Sequence, residues 1–166
     1  MTAHGKNETT IDAVLNAMKR NDKRISDIAL QGTASQSSNY NSKSTASCAI
    51  DNNACGNYRH CALAKTHFER NPWWKVHLNG VATIKKIIVW NRTDGWSYRL
   101  TNTEVRILDI HGNIVDAKTI GEATNIEKFE LDFDDVIGSI VMLQRVSDND
   151  EPLQLAEVQV FGFHCE

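Results

Sequence analysis

From Ile28 onward, apolar and polar residues alternate with a period of two, and this pattern constrains the fold more than any other feature of the chain. Trp74, Val76 and Leu78 alternate with Trp73, Lys75 and His77, and Val105 and Ile107 with Glu104 and Arg106. Phe129, Leu131 and Phe133 alternate with charged residues. A strand sends successive side chains to opposite faces, so this pattern predicts half-buried strands. Ile84–Trp90 is a largely apolar run and reads as a strand covered on both faces. The runs 140–146 and 155–163 complete the set. Turns at Asp94-Gly95 and Gly112-Asn113 separate the short strands, and together these signals predict an antiparallel β-sandwich. The Ser/Asn-rich stretch 35–47 reads as a loop.

Ahead of the alternating pattern, residues 10–24 predict a helix. Thr10 is its cap, and Ile11, Val14, Leu15 and Met18 recur on one face. The chain therefore divides into an N-terminal extension with a short helix, 1–25, and a domain, 26–166. With 166 residues in all, one domain with one substantial core is expected. The net charge of −3 offers no basic excess for nucleic acid. No apolar stretch is long enough to insert across a membrane. The first 24 residues are polar and lack the apolar centre of a signal peptide.

The chemistry concentrates in the run NRTDGWSYRL, which holds Arg92, Asp94 and Arg99. His67 lies upstream, with 24 residues between it and Arg92. Two guanidiniums present N–H donors in fixed forks, and an imidazole can donate or accept beside them. Such a cluster calls for a partner rich in acceptors. Asp94 neutralises part of the charge, which favours an uncharged polyhydroxylated ligand over a dianion.

The series His67, Arg92, Asp94, Arg99, Leu100 resembles the signature of the F-type lectins, the fucose-binding lectins of the discoidin-like superfamily. The strings ASCAIDNN (46–53), NPWWKVHL (71–78) and LAEVQV (155–160) resemble further landmarks of that family, in its order. The resemblance covers roughly residues 26–166. It implies an all-β, antiparallel eight-stranded jelly-roll sandwich with binding loops at one end. It also implies a secreted, extracellular lectin whose partners are fucosylated glycans or glycoproteins. In this reading His67, Arg92 and Arg99 grip hydroxyls of terminal α-L-fucose, and Asp94 is a buttress that orients a guanidinium. Where many members carry two adjacent cysteines, this chain has Gly95 and Trp96. Gly95 lets the backbone turn or approach closely. Trp96 either stacks on the C–H face of the sugar or anchors the loop.

The resemblance further implies a structural Ca²⁺ ion. Asp51, Asn53 and Glu157 would supply hard oxygens, with main-chain carbonyls of Cys48, Ala64 and Ala156 in the same shell. Cys48, Cys55, Cys61 and Cys165 allow three pairings when fully oxidised. Cys55 and Cys61 flank a short loop, and a bridge through Cys165 would tie down the C-terminus. A single sugar of about eleven heavy atoms, at about −0.3 kcal/mol each, binds only in the millimolar range. Several sites acting together are therefore expected, in a homo-oligomer or a larger array.

Other signals carry less. Cys55, His60, Cys61, His67 and His77 match no standard zinc spacing. Asp132, Asp134 and Asp135 read as a solvated turn after FELDF rather than a hydrolytic carboxylate pair. Asn91-Arg92-Thr93 is a formal glycosylation sequon, but a glycan there would block the site; Asn7-Glu8-Thr9 is the more accessible one. No catalytic residue is assigned. The rival reading is a discoidin-like adhesion module that has lost sugar recognition and binds protein or phospholipid; exposed apolar loop tips would favour lipid.

Overall fold

The structure, a computed structural model, describes residues 10–14 and 24–166. Residues 10–14 are helical; the remainder of the expected helix, as far as 23, lies outside the described residues, and Arg24 is not helical. Among the described residues nine strands follow: β1 (Ser26–Asp27), β2 (Thr33–Gln36), β3 (Ala64–Lys65), β4 (Trp73–Trp90), β5 (Thr103–Leu108), β6 (Ile114–Ile120), β7 (Lys128–Arg145), β8 (Gln154–Leu155) and β9 (Glu157–His164). Every pairing between them is antiparallel.

Two long strands build the sandwich. The first part of β4 pairs with β2 on one side and with the end of β7 on the other. After a break between His77 and Ala82, β4 exchanges β2 for β9 and continues along the first part of β7. Asn79 and Gly80, both at positive φ, make that break. The end of β7 pairs with β5, and β5 with β6. Each long strand thus serves both halves. The sequence expectation of separate strands at 129–133 and 140–146 is corrected accordingly, because β7 runs without interruption from Lys128 to Arg145.

The alternation works as expected where the register is regular. Trp74, Val76 and Leu78 are wholly buried, and the Trp74 indole N–H is satisfied by the Ala46 carbonyl at 2.9 Å. A bulge between Ile84 and Lys86 then shifts the inward parity, so Ala82 and Ile84 are followed by Ile87 and Val89. The intervening Lys85, Lys86, Ile88 and Trp90 are only half-buried, so this stretch is covered on one face rather than two. The inward residues join Val105, Ile107, Leu143, Val158 and Val160 in one core.

The acidic run is also not a turn. Asp132 and Asp135 lie within β7 and pair with Lys86 and Lys85 across β4. Of the cysteines, Cys55 and Cys61 are bridged, while Cys48 and Cys165 are free thiols. The C-terminus is held instead by a hydrogen bond from the Cys165 N–H to the Val81 carbonyl at 2.8 Å.

The short β3–β8 pair lies apart from the main sheet, at the end of the sandwich where β4 runs into residues 91–96. Its register sets Lys65 beside Gln154 and Ala64 beside Leu155.

Candidate functional site

Asn91 is the hub of the loop that follows β4. It is buried, and its side-chain amide donates to the carbonyls of Ser97 (3.0 Å), Ile126 (3.0 Å) and Ala123 (3.4 Å). Its Oδ1 accepts the Arg92 N–H at 2.8 Å. A residue so enclosed has no room for a glycan, which disposes of the sequon. Gly56 packs against this loop, and a Cβ there would come within 2.4 Å of the Asn91 carbonyl. The Gly56 carbonyl accepts the Thr93 N–H at 2.8 Å. The disulfide-closed loop 55–61 is thereby docked against the arginine loop.

Arg92 is 5% exposed and is held as a fork. Its Nε and Nη2 donate to the two carboxylate oxygens of Asp94 at 2.7 and 3.1 Å, and its Nη1 to Gln154 Oε1 at 3.4 Å. Asp94 Oδ1 also accepts the Tyr58 N–H at 3.1 Å, so one carboxylate positions an arginine and an aromatic wall. The hydrogen bond from Arg92 holds the Asp94 carboxyl below the usual carboxylate range. Asp94 thus orients the Arg92 guanidinium.

Arg99 arrives on the 3₁₀ turn Ser97–Leu100 and faces Glu151 at 3.5 Å. A third buried arginine, Arg145, donates to the Arg99 carbonyl and fixes that turn from behind. Between the two site arginines stands Trp96, which is 49% exposed. The Arg92 and Arg99 guanidinium carbons lie 4.8 and 5.6 Å from its ring centre. Trp96 has φ 54°, a left-handed conformation that costs a non-glycine residue about 1–2 kcal/mol. Its carbonyl accepts from Arg99 N–H (3.1 Å) and Gln154 Nε2 (3.0 Å), which hold it there. Gly95, at φ 127°, supplies the preceding turn and does not face the hollow; it lies on a separate cleft behind the loop.

These side chains surround one hollow of about 280 Å³. Lys65 enters it from β3, 5% exposed, with its ammonium 3.5 Å from the Tyr40 ring centre and 5.1 Å from that of Tyr58. Burial, then the charges of Arg99 and Arg92, push the Lys65 pKa down to about 8. Phe68 closes the side beside Arg99, whose guanidinium carbon is 5.1 Å from its ring centre. His67 does not line the hollow. It is exposed at the rim, its ring 6.1 Å from that of Tyr40, while its N–H donates to Ser38 Oγ at 2.9 Å. Lys65 is the last residue of the two-residue strand β3, opposite Gln154, and His67 lies beyond the pairing. Phe68 and Trp96, 52% and 49% exposed, pack against guanidiniums as walls of the hollow.

The residues expected to hold calcium lie outside the lining of this hollow. Glu157, 1% exposed, opens β9; its Oε1 accepts the Asn52 N–H at 3.0 Å and its Oε2 has no hydrogen-bond partner. Burial raises its pKa to about 7, with the Asp51 charge adding to the rise. Asp51 and Asn53 shape a tight turn, with Asp51 Oδ1 accepting the Asn53 N–H at 2.9 Å and Asn53 Oδ1 the Cys55 N–H at 3.1 Å. Cys48 lies in the 3₁₀ turn Ala46–Ala49, Ala64 in β3 and Ala156 between β8 and β9. Among the described residues no three His, Cys, Asp or Glu side chains cluster for a metal. The carboxylates here number two, and a buried, unpartnered oxygen on one of them fits a hard dication completed by main-chain oxygens.

An antiparallel β-sandwich with a cationic, aromatic-walled hollow in the loops at one end defines the class as a discoidin-like binding domain. The chain belongs to the F5/F8 type C family in its NedA-like, galactose-binding form, whose family model matches residues 48–143, and within it to the F-type lectins. A fucolectin of Anguilla anguilla is 34% identical over 84 residues, 48% of this chain and 53% of the relative. The lectin domain of lectinolysin, solved with the Lewis B antigen, superposes with a TM-score of 0.77 at 30% identity, covering 85% of this chain and 98% of that one. An F-lectin from Morone saxatilis serum gives 0.74 at 25% identity, covering 87% and 50%. The chain spans about half the length of the curated fucolectins it matches. The chain thus falls among lectins and carbohydrate-binding modules, which are non-enzymatic binding domains. No helix among the described residues is long and apolar enough to cross a membrane.

The sequence reading missed Lys65, Phe68 and Gln154; it offered Tyr40 and Tyr58 only as apolar surface that it could not place, and read Asn91 only as a sequon. Only the cysteines at 55 and 61 hinted that Tyr58, inside their loop, would be fixed against the site.

Proposed function

We propose that this chain binds terminal α-L-fucose on glycans, with Lys65, Arg92 and Arg99 reading the sugar's oxygens. The observation that carries the reading is the placement of two buried guanidiniums on either side of a half-exposed tryptophan over one hollow. Three cations, Lys65, Arg92 and Arg99, are offset by two carboxylates, Asp94 and Glu151. The site is thus donor-rich with little net charge, which suits a neutral pyranose with several acceptor oxygens. Trp96 and Phe68 offer apolar surface to the C–H face and methyl group of a deoxyhexose. The similar proteins named for fucose, or solved with a Lewis B antigen, support this choice of sugar.

Calcium belongs to the same proposal as a structural ion. Glu157 and Asp51 would hold it, with Asn53 and the carbonyls of Cys48, Ala64 and Ala156. Bound there, it supplies positive charge to a buried carboxylate. Glu157 at the head of β9 and Asp51 in the loop before the disulfide would then be tied together, steadying β3 and with it Lys65. The weak affinity expected of one sugar makes a homo-oligomer or array the working form, on secreted, cell-surface or soluble glycoproteins.

A glycan array run with calcium tests the reading. Signal confined to fucosylated glycans, and lost in folded Arg92→Ala, is the expected outcome. Undiminished binding by that variant would place the site elsewhere.

A further inference from the structure

On the far side of Tyr58 lies a second hollow, about 350 Å³ and larger than the first. Tyr58 is the wall between them. Its ring packs on the Arg92 guanidinium at 4.7 Å. Its hydroxyl accepts from Asn41 Nδ2 at 3.2 Å and lies 3.3 Å from Ser44 Oγ, on the floor of the second hollow.

Lys43, Arg59 and His60 line this second hollow, and no carboxylate does. Several other surface cations sit beside acids: Lys85 with Asp135, Lys86 and Lys128 with Glu130, Arg106 with Glu104. Lys43 and Arg59 have no ion-pair partner among the described residues. Acidic residues outnumber basic ones in this chain, 21 to 18, so an acid-free cationic hollow is a local reversal. The loop that presents Arg59 and His60 is fixed. The Cys55–Cys61 bridge closes it, and His60 and Cys61 N–H groups both donate to the Asn57 carbonyl at 3.0 and 2.9 Å.

We propose that this hollow is a second subsite for an acidic substituent, a sulfate ester or a carboxylate, on the sugar neighbouring the one held by Arg92 and Arg99. The proposal rests on the lectin reading above. Its chemistry follows from the donors: ammonium and guanidinium groups have no acceptor capacity, and unpaired they discriminate for anionic oxygens over hydroxyls. The volume falls within the range that holds a small ligand of one or two rings.

Titration calorimetry on the full chain tests it, with a fucosylated trisaccharide in three matched forms: neutral, O-sulfated and sialylated. At low salt the acidic form that fits should bind about tenfold tighter than the neutral one, as two exposed charge pairs allow. The gap should shrink at high salt. Lys43→Ala with Arg59→Ala should abolish it and leave the neutral glycan's Kd unchanged; both side chains are exposed, and circular dichroism checks the fold. Whichever acid shows the gap identifies its source. Equal binding of all three forms, or a gap that survives the double variant, would overturn the second subsite while leaving the first intact. If no form binds, the lectin reading fails and takes this proposal with it.

Discussion

Asp94→Asn isolates the contact on which the site's geometry depends. The carboxylate takes Nε and Nη2 of Arg92 at 2.7 and 3.1 Å and the Tyr58 N–H at 3.1 Å, and the paired side chains are only 6% and 9% exposed. Removing one partner of a buried ion pair costs about 3–5 kcal/mol, because the other charge is left uncompensated. Asparagine keeps one acceptor oxygen for the guanidinium, so the lower end, about 3 kcal/mol, applies. For a chain of this length each kcal/mol lowers Tm by about 2–4 °C, which gives a fall of roughly 6–12 °C by calorimetry at neutral pH. Freed from Asp94, Arg92 and Tyr58 lose their fixed positions on the hollow, and fucoside binding should weaken at least about tenfold. The pH dependence supplies a second arm. Asp94's folded pKa lies below its ordinary 3.8, so its contribution is fully present above that value and is lost as pH falls through the folded pKa. The deficit of the variant should therefore narrow in acid. A variant with wild-type Tm and Kd, or a deficit that stays constant below about pH 4, would refute the reasoning.

Glu157 should make calcium-free stability fall as pH rises from 4.5 to about 7, since burial raises its folded pKa and the folded state then holds a proton that the unfolded chain releases. Tm measured in chelator should show that slope, and calcium should remove it; in Glu157→Gln both the slope and the calcium response should vanish. Lys65 has the opposite sign: its folded pKa of about 8, below the ordinary 10.5, means stability rises with pH between those values as the unfolded chain alone stays protonated. Lys65→Met should flatten that rise, and sugar affinity of the natural chain should weaken as Lys65 loses its proton above about pH 8 in a calorimetric pH series. Reduction of Cys55–Cys61 releases a short loop and should cost about 2 kcal/mol, with a several-fold loss of fucoside affinity as Tyr58 loosens, both checked by adding reductant during melting and binding measurements.

What could be read from the residues was whatever depends on local repetition. Trp74, Val76 and Leu78 announced a buried strand face because each is decided by its immediate neighbours. Arg92, Asp94 and Arg99 were legible because one short loop carries all three. Lys65 was not, since a lysine between Ala64 and Thr66 looks like any surface residue until β3 pairs with β8, far along the chain. His67 was read as the third member because it completes the family's series; it falls past the end of β3, and that end is set by pairing with β8, a long-range property. The length of β4 was hidden for a related reason. The alternation was read only over 73–78 and the apolar run only over 84–90, whereas cross-strand pairing carries the chain through the residues between with a change of partner. Asn91 illustrates the converse, a residue with a local motif whose burial empties the motif of meaning.

The central claim is that Lys65, Arg92 and Arg99 converge on one uncharged sugar ring laid against Trp96. A crystal structure with methyl α-L-fucoside and calcium tests it most directly. The expected result is a pyranose in the hollow bounded by these four side chains, with sugar oxygens accepting from all three cations. A fucoside bound at any other surface, or one contacted by His67 with Lys65 turned away, would contradict it.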